Sequence, residues 1–148
     1  MIEEIFETTS DGFTIKESDS NLYSPLVLAY LGDAVYEVYI RTLLVSEGNS
    51  TVHKLHKRSV DYVKAKAQSD ILHRLMDMDM LSPDEQNVVR RGRNAKSGTI
   101  PKNANVTEYK HATGFEALLG YLYLKKDYNR LRQLLKLSAG RNDKEPQR

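Results

Sequence analysis

The strongest hydrophobic pattern in the chain lies in the sequence LYSPLVLAYLGDAVYEVYI, at residues 22–40. Ser24 can cap a helix there, and Pro25 fits the first helical position, where no backbone N–H is needed. The pattern therefore predicts a helix from about Pro25 to Val45. We expect its packed face to carry the apolar residues that recur at helical spacing, Leu28, Leu31, Val35 and Val38.

This apolar stretch contains only two carboxylates, Asp33 and Glu37. Because a carboxylate in the middle of a membrane span is costly, the stretch predicts a core helix of a soluble protein. Burying an unpaired carboxylate is also costly, so a cation or hydrogen-bond donors must meet it. We therefore expect Asp33 to be buried beside a partner that another part of the chain supplies.

A second helical region is predicted after Gly48, where Ser50 or Thr51 can act as the N-cap. The predicted helix is flanked by lysines and arginines, and we expect it to bend before Ser69. Two apolar faces are predicted, one before the bend and one after it: Val52, Leu55, Val60 and Val63, then Ile71, Leu72, Leu75 and Met76.

Three more helices complete the pattern. Residues 82–85, Ser-Pro-Asp-Glu, form a capping box that predicts a helix to about Arg91. A largely apolar helix is predicted from near Val106, and the last from about Tyr128 to Leu137. No segment shows the alternation of a strand, so the predicted fold class is all-α.

The length of 148 residues indicates one domain. We predict an acidic, loosely ordered arm at residues 1–20, a helical domain at 21–138 and a polar tail at 139–148. The absence of cysteine excludes disulfides and thiolate metal sites. The N-terminus does not resemble a signal peptide and no segment is expected to span a membrane, so the predicted location is the cytoplasm.

Charge is distributed unevenly along the chain. Residues 1–20 carry a net charge of −5, so the remaining 128 residues carry +7 within the total of +2. No acidic residue occurs from Gln86 to Thr107, and glycines and Pro101 predict a mobile cationic loop from Arg93 to Ala104. This distribution favours a polyanionic partner, with a merely solvated surface loop as the alternative.

Two predicted apolar helices each carry a conspicuous acid, Asp33 and Glu116, and each has a glycine close by, Gly32 and Gly120. Glycine allows two helix backbones to approach closely, so a crossing at these glycines would bring the acids together. Oxygen ligands without His or Cys suit Mg²⁺. The alternative from spacing alone is that each acid is bonded to backbone N–H groups or to an arginine.

Other candidate groups favour structural roles. His53 and His56 have the spacing of a metal pair, but the basic residues around them would repel a cation. Asp77 and Asp79 lie at a predicted helix end beside a turn. The tyrosines on the two acid-bearing helices favour core or dimer packing: Tyr30, Tyr36, Tyr39, Tyr121 and Tyr123.

Several of these segments resemble one family. LAYLGDAVYE resembles the signature helix of the ribonuclease III family, and FEALLGYLYL resembles its second conserved helix. RRGRNAKSGTIPKN and YKHATGFEALLGY resemble Mini-ribonuclease III, the short form without a double-stranded-RNA-binding domain. The resemblance extends from about Leu22 to Leu137.

This resemblance implies an all-helical homodimer with the ribonuclease III endonuclease fold. It implies Mg²⁺-dependent hydrolysis of double-stranded RNA to 5′-phosphate and 3′-hydroxyl ends, with the 23S ribosomal RNA precursor as substrate. Asp33 takes the catalytic aspartate position and Glu116 the metal-binding glutamate position. RNA contact is then predicted for Arg90, Arg91, Arg93, Lys96, Ser97, Lys102 and His111.

The chain departs from the larger members of the family at Ala29 and Thr113, where those enzymes have carboxylates, which implies weaker Mg²⁺ binding. Glu37 is predicted to support the site or a dimer interface rather than to be a ligand. A ribosomal protein is a further candidate partner, and DNA is not expected to be one. Two alternatives remain: a catalytically silent protein that only binds structured ribosomal RNA, and a helical protein–protein module whose acids are structural.

Overall fold

The computed structural model describes residues 23–96 and 99–140, and within those ranges the fold is all-α, as predicted. The predicted N-terminal arm, Ser97 and the end of the predicted tail lie outside the described residues. None of the described helices is long and apolar enough to cross a membrane. The helices are α1 (Pro25–Ser46), α2 (Val52–Val63), α3 (Ala65–Asp77), α4 (Pro83–Asn94), α5 (Val106–Leu124) and α6 (Tyr128–Ser138).

Helix α1 begins as predicted, with the Ser24 hydroxyl accepting a hydrogen bond from the Leu26 N–H at 3.3 Å. Its buried face agrees with the predicted one at Leu28, which is buried, and at Leu31 and Val35, which pack partly buried against the core, but not at Val38. Val38 is 51% exposed, whereas a ridge at four-residue spacing is buried. That ridge comprises Leu28, Gly32, Tyr36, Ile40 and Leu44. The helix is rotated so that Gly32, rather than a bulky residue, faces the neighbouring backbone.

Helix α5 is the central element, packed against α1, α3 and α4. It crosses α1 at the two glycines. A Cβ atom built on Gly32 would lie 1.7 Å from the Glu116 carbonyl oxygen, and one built on Gly120 would lie 2.0 Å from the Leu28 carbonyl oxygen. The predicted close crossing is therefore confirmed. Tyr36 and Phe115 extend this contact edge to face, with ring centroids 5.5 Å apart.

The second helical region is divided at Lys64, whose backbone is extended at φ −63° and ψ 152°. The bend predicted before Ser69 therefore lies five residues earlier. Thr51 is the N-cap of α2, as one of the two alternatives predicted. The predicted apolar face of α2 is confirmed at Leu55 and Val63, which pack partly buried against the core, whereas Val52 is 82% exposed and Val60 is 41% exposed.

Helices α4 and α6 are joined through their N-terminal ends. The predicted capping box of α4 is present, with the Glu85 carboxylate accepting a hydrogen bond from the Ser82 N–H at 2.9 Å. Glu85 also pairs with Arg130 of α6. Helix α4 continues to Asn94 rather than ending at Arg91, so the loop that was predicted to begin at Arg93 begins at Ala95.

Candidate active site

Asp33 of α1 and Glu116 of α5 lie together where the two helices cross, and we call them the acid pair. Their side chains are hydrogen-bonded to each other. The crossing brings the acids together because Gly32 and Gly120 allow the backbones into direct contact. The predicted burial of Asp33 is wrong: its side chain is exposed, and Glu116 is the more buried of the two. Asp33 lies on the flank of α1, beside the buried ridge rather than in it.

The environment of Glu116 disfavours its charged form. Burial, the hydrogen bond with Asp33 and the negative charge of Asp33 raise the pKa of Glu116 to about 9. Glu37, one turn beyond Asp33, adds a smaller repulsion, although Arg41 pairs with it at 3.1 Å. Two carboxyl groups held this closely can coexist only by sharing a proton or a cation.

Gln68 of α3 is the third side chain at this site. It is 2% exposed, its amide is hydrogen-bonded to Glu116, and its Nε2 donates to the Val63 carbonyl at 2.8 Å. Sequence reasoning missed this residue. A signal was available, because Gln68, Ile71, Leu72 and Leu75 follow the spacing of one helix face, and Gln68 is the polar member of that apolar face.

The two positions that lack family carboxylates add no charged ligand. Ala29 is buried, and the Thr113 hydroxyl donates to the Tyr109 carbonyl of its own helix at 3.0 Å. Within residues 23–96 and 99–140, no group of three or more His, Cys, Asp or Glu side chains could hold a metal ion. The charged oxygen donors that meet at the crossing are therefore the two carboxylates of the acid pair.

This donor set fits Mg²⁺. Mg²⁺ commonly binds one or two carboxylates and keeps several waters, and it does not require an all-protein cage. A divalent cation would offset the repulsion between the two carboxyl groups when both are charged. The larger ligand group expected for tighter binding is absent from the described residues.

The predicted RNA-contact residues lie along the end of α4 and the loop that follows it. Arg90, Lys96 and Lys102 are exposed, and Arg91 and Arg93 are half-buried. The aliphatic part of Arg93 packs against Gly114 of α5, two residues before Glu116: a Cβ on Gly114 would lie 3.0 Å from Arg93 Cγ. The cationic segment, defined here as residues 90–96 and 99–102, is thus anchored close to the acid pair.

An open cavity of about 440 Å³ lies between this segment and α5. Lys96 and Lys110 contribute the cationic groups of its lining, and Tyr109 and Thr113 contribute hydroxyl groups. Thr113 is one helical turn before Glu116, although neither acid lines the cavity. Its lysine ammonium groups and hydroxyl groups are donors that can contact phosphate groups.

His111, the remaining predicted RNA-contact residue, stacks on His73 of α3. The ring centroids are 4.5 Å apart and the ring planes differ by 29°. Each Nδ1 lies 2.7 Å from the carbonyl oxygen four residues earlier, at Ser69 and Thr107. The stacking with His73 was not foreseen, because sequence spacing gives no information about which histidines meet between helices.

The groups predicted to be structural have no role at this site. His53 and His56 are exposed on α2, and Asp77 and Asp79 are exposed at the end of α3. Asp79 adopts a positive φ of 53° in the turn there. Among the tyrosines, Tyr36 and Tyr121 are buried, whereas Tyr30 is 83% exposed.

Comparisons with known proteins agree with one another. A family model described as Ribonuclease III domain matches residues 26–127. A Mini-ribonuclease 3 from Thermoanaerobacter sp. (strain X514) is 56% identical over 116 residues, which are 78% of this chain and 80% of the relative. A Mini-ribonuclease 3 from Clostridium tetani is 46% identical over 127 residues, which are 85% of this chain and 83% of the relative.

The fold is also similar to that of a solved structure. The X-ray crystal structure of a protein from Fusobacterium nucleatum matches with a TM-score of 0.73 and 33% sequence identity. The match covers 82% of this chain and 96% of that chain.

Proposed function

Because this chain belongs to the ribonuclease III family and is a member of its Mini-ribonuclease 3 group, we propose that it is a Mg²⁺-dependent endoribonuclease that hydrolyses double-stranded RNA. The observation that supports this most strongly is the acid pair, two carboxyl groups in mutual contact, with Arg93 packed against the helix that carries Glu116. A protein that only binds RNA has no need for two acids facing phosphate, since they weaken its attraction for a polyanion.

Asp33 and Glu116 are the residues that would hold Mg²⁺. When bound, the ion supplies an activated water for attack on phosphorus and neutralises the negative charge that develops on the phosphate. Asp33 is exposed and therefore accessible to the RNA backbone, whereas the more buried Glu116 is held between α1 and α3. The expected products carry 5′-phosphate and 3′-hydroxyl ends.

The cationic segment is proposed to hold the duplex. Duplex RNA is recognised through its phosphates and 2′-hydroxyls across the shallow minor groove. Arg90, Lys96 and Lys102 are exposed donors suited to those groups. Because they lie on one continuous segment that is anchored beside Glu116, contacts with the backbone would place a phosphodiester close to the acid pair.

A homodimer is proposed because α1 carries an exposed apolar stripe, defined here as Val27, Tyr30, Ala34, Val38 and Val45. These residues share one side of the helix over about 27 Å, on which Arg41 lies between Val38 and Val45. Exposed apolar residues grouped on one helix face favour a protein–protein interface. Asp33 lies at its flank, so two copies joined there would carry two acid pairs, one for each RNA strand. The 23S ribosomal RNA precursor as substrate, and a ribosomal protein as partner, are proposed on the family resemblance alone.

The test is cleavage of a defined RNA duplex with and without Mg²⁺, by the wild-type protein and by Asp33→Asn. We expect cleavage only with Mg²⁺, and a loss of at least a thousandfold in Asp33→Asn with duplex binding retained. Asp70→Asn is the matched control, because Asp70 is an exposed acid of α3 paired with Lys66. Its cleavage rate should remain within about twofold of wild type.

The second candidate function is a silent RNA-binding protein, which the missing carboxylates at Ala29 and Thr113 favour. It predicts duplex binding by the wild-type protein without cleavage at any Mg²⁺ concentration. A protein that neither binds nor cleaves the duplex would instead support the helical interaction module.

A further inference from the structure

Gln68 has a polar side chain in a position where the fold would accept an apolar one. It is almost fully buried on the face of α3 that otherwise carries Ile71, Leu72 and Leu75. In the described part of the chain, its Oε1 is the only buried side-chain nitrogen or oxygen atom without a hydrogen-bond partner. An unpaired buried oxygen destabilises a protein, so stability alone does not explain a glutamine here.

The amide nitrogen of Gln68 has two partners. It donates to the Val63 carbonyl at the break between α2 and α3, and the same amide is hydrogen-bonded to the Glu116 carboxyl group. The bond to the Val63 carbonyl fixes the amide relative to the backbone. From that fixed position, the amide can orient the Glu116 carboxyl group. The other side chains that act on the Glu116 carboxyl group are two acids, Asp33 and Glu37, and an acid cannot orient it without a proton or a cation between them.

A second glutamine, Gln86, makes the same kind of bond from its side-chain amide to a backbone carbonyl. Gln86 occupies the same position in α4 as Gln68 does in α3, four residues after the N-cap, and its Nε2 donates to the Leu81 carbonyl at 2.9 Å. Both bonds span five residues and close the start of a helix. Gln86 is exposed, however, and does not contact the acid pair. The contact with Glu116 is therefore the feature specific to Gln68.

We propose that Gln68 is a positioning residue of the cation site: its amide, anchored on the Val63 carbonyl, holds the Glu116 carboxylate in the orientation that binds a divalent metal ion. This inference rests on the proposed function of the acid pair. The Oε1 atom of Gln68 remains available to accept a hydrogen bond from a water molecule beside Glu116. Removal of such an outer hydrogen bond to a metal ligand typically weakens metal affinity by about 10- to 100-fold.

The test uses Mn²⁺ as a paramagnetic probe of the full chain without RNA, with free Mn²⁺ measured by electron paramagnetic resonance. Gln68→Met preserves the length of the side chain but removes its donor, and Gln86→Met makes the same change at the matched position. We expect Gln68→Met to weaken Mn²⁺ binding by about 10- to 100-fold. We expect the same variant to raise the Mg²⁺ concentration for half-maximal duplex cleavage by a similar factor, and Gln86→Met to change neither.

The two variants also separate positioning from folding. If Gln68 only closes the start of α3, Gln68→Met should bind Mn²⁺ as the wild-type protein does, whatever its stability in urea, which would overturn the inference. If Gln68→Met does not fold, Gln68→Asn repeats the test, because it keeps a buried amide that is too short to reach both partners. A wild-type protein that binds no Mn²⁺ would overturn the proposed metal site itself, whereas unchanged binding in the variants overturns only the role of Gln68.

Discussion

Glu116 is a residue whose proposed role as a cation ligand is unfavourable for the stability of the fold. Its carboxyl group is partly buried, contacts another acid and has its pKa raised to about 9. No described arginine or lysine is hydrogen-bonded to it or lowers its pKa, and Gln68 is the one group that acts in the opposite direction. A residue selected only for stability would be apolar at this position, so the acid supports the proposed cation site.

Glu85 shows the opposite arrangement. It is 5% exposed and accepts hydrogen bonds from two nitrogen atoms of Arg130, Nε and Nη2, each at 2.8 Å. Burial by itself would raise the pKa of Glu85, but the hydrogen bonds from Arg130 and from Ser82 outweigh it and hold the pKa below its ordinary value. This buried pair is therefore structural, with both charged groups satisfied.

Arg130→Gln should lower the free energy of unfolding by about 3 kcal/mol at pH 7, because it leaves the buried Glu85 carboxylate without its cation. Since the pKa of Glu85 is lowered by folding, the pair stabilises the protein above the ordinary carboxyl pKa of about 4.5. This contribution is lost as the pH falls through the lower pKa of the folded state. Urea denaturation between pH 7 and pH 3 should therefore show the wild-type and variant stabilities converging in acid.

The control for this prediction is Arg58→Gln, which breaks the exposed pair between Arg58 and Glu47. An exposed ion pair contributes less than about 1 kcal/mol, so this variant should remain close to wild type at every pH. Equal losses from Arg58→Gln and Arg130→Gln would contradict the structural importance of the Glu85 pair.

At the level of the helices, the crossing of α1 and α5 depends on the absence of two side chains. A Cβ on Gly32 would overlap the Glu116 carbonyl oxygen, and this atom belongs to a helix backbone that cannot move locally. The crossing is therefore required both for the core and for the acid pair. Helix propensity alone would make a change from glycine to alanine stabilising by about 1 kcal/mol, whereas a packing clash makes it destabilising. The sign of the change in the free energy of unfolding therefore distinguishes the two effects.

Gly32→Ala should prevent stable folding or lower the free energy of unfolding by more than about 4 kcal/mol, because the two backbones must separate. Gly92→Ala is a graded comparison, since its Cβ would lie 2.9 Å from Gly114 Cα, and we expect a smaller loss of about 2 kcal/mol. Urea denaturation of both variants tests the order. Full stability in Gly32→Ala would show that the helices do not cross at this distance.

The positions of helices could be predicted because their ends carry local signals. Ser24, Ser82 and Asn105 each accept an N-cap hydrogen bond, at the beginnings predicted for α1, α4 and α5. The break between α2 and α3 carries no such signal: Lys64 makes no side-chain cap hydrogen bond, and both flanking sequences favour helix. A local bond across the break, from Gln68 Nε2 to the Val63 carbonyl, stabilises it instead.

The site could be predicted only in part. Asp33, Glu116 and their glycines carry the family motifs, so the contact between the two acids followed from the sequence. The exposure of Asp33 did not follow, because an apolar run of residues does not show which side of a helix meets the core when glycine forms the contact. Gln68 and His73 depend on how α3 packs on α5, and that register is a property of the folded chain.

At the scale of the whole molecule, the exposed apolar stripe on α1 predicts assembly. Val38→Glu places a charge at its centre and should convert the proposed dimer into a monomer, because burying an unpaired carboxylate in an apolar interface is strongly unfavourable. Sedimentation analysis over a range of protein concentrations measures the change. Val60→Glu is the control, since Val60 is a similarly exposed valine on α2, 41% exposed. A Val38→Glu protein that remains dimeric would exclude the stripe as the interface.

The distribution of charge makes a last prediction, about how the proposed RNA complex responds to salt. Reversing two charges of the cationic segment, Arg91→Glu with Lys96→Glu, should weaken duplex binding and reduce the slope of log affinity against log salt by about two. The physical reason is that each lost phosphate contact releases about one fewer counterion. Binding is measured without Mg²⁺, so that cleavage does not interfere.

The matched control reverses two charges at the opposite end of α5, Lys125→Glu with Lys126→Glu, about 28 Å from the beginning of that helix. Both double variants change the net charge equally, so a general repulsion between protein and RNA would affect them alike. Only local phosphate contacts would reduce the salt slope in the first variant and leave it unchanged in the second. Equal slopes in the two variants would show that the segment beside the acid pair does not hold the duplex.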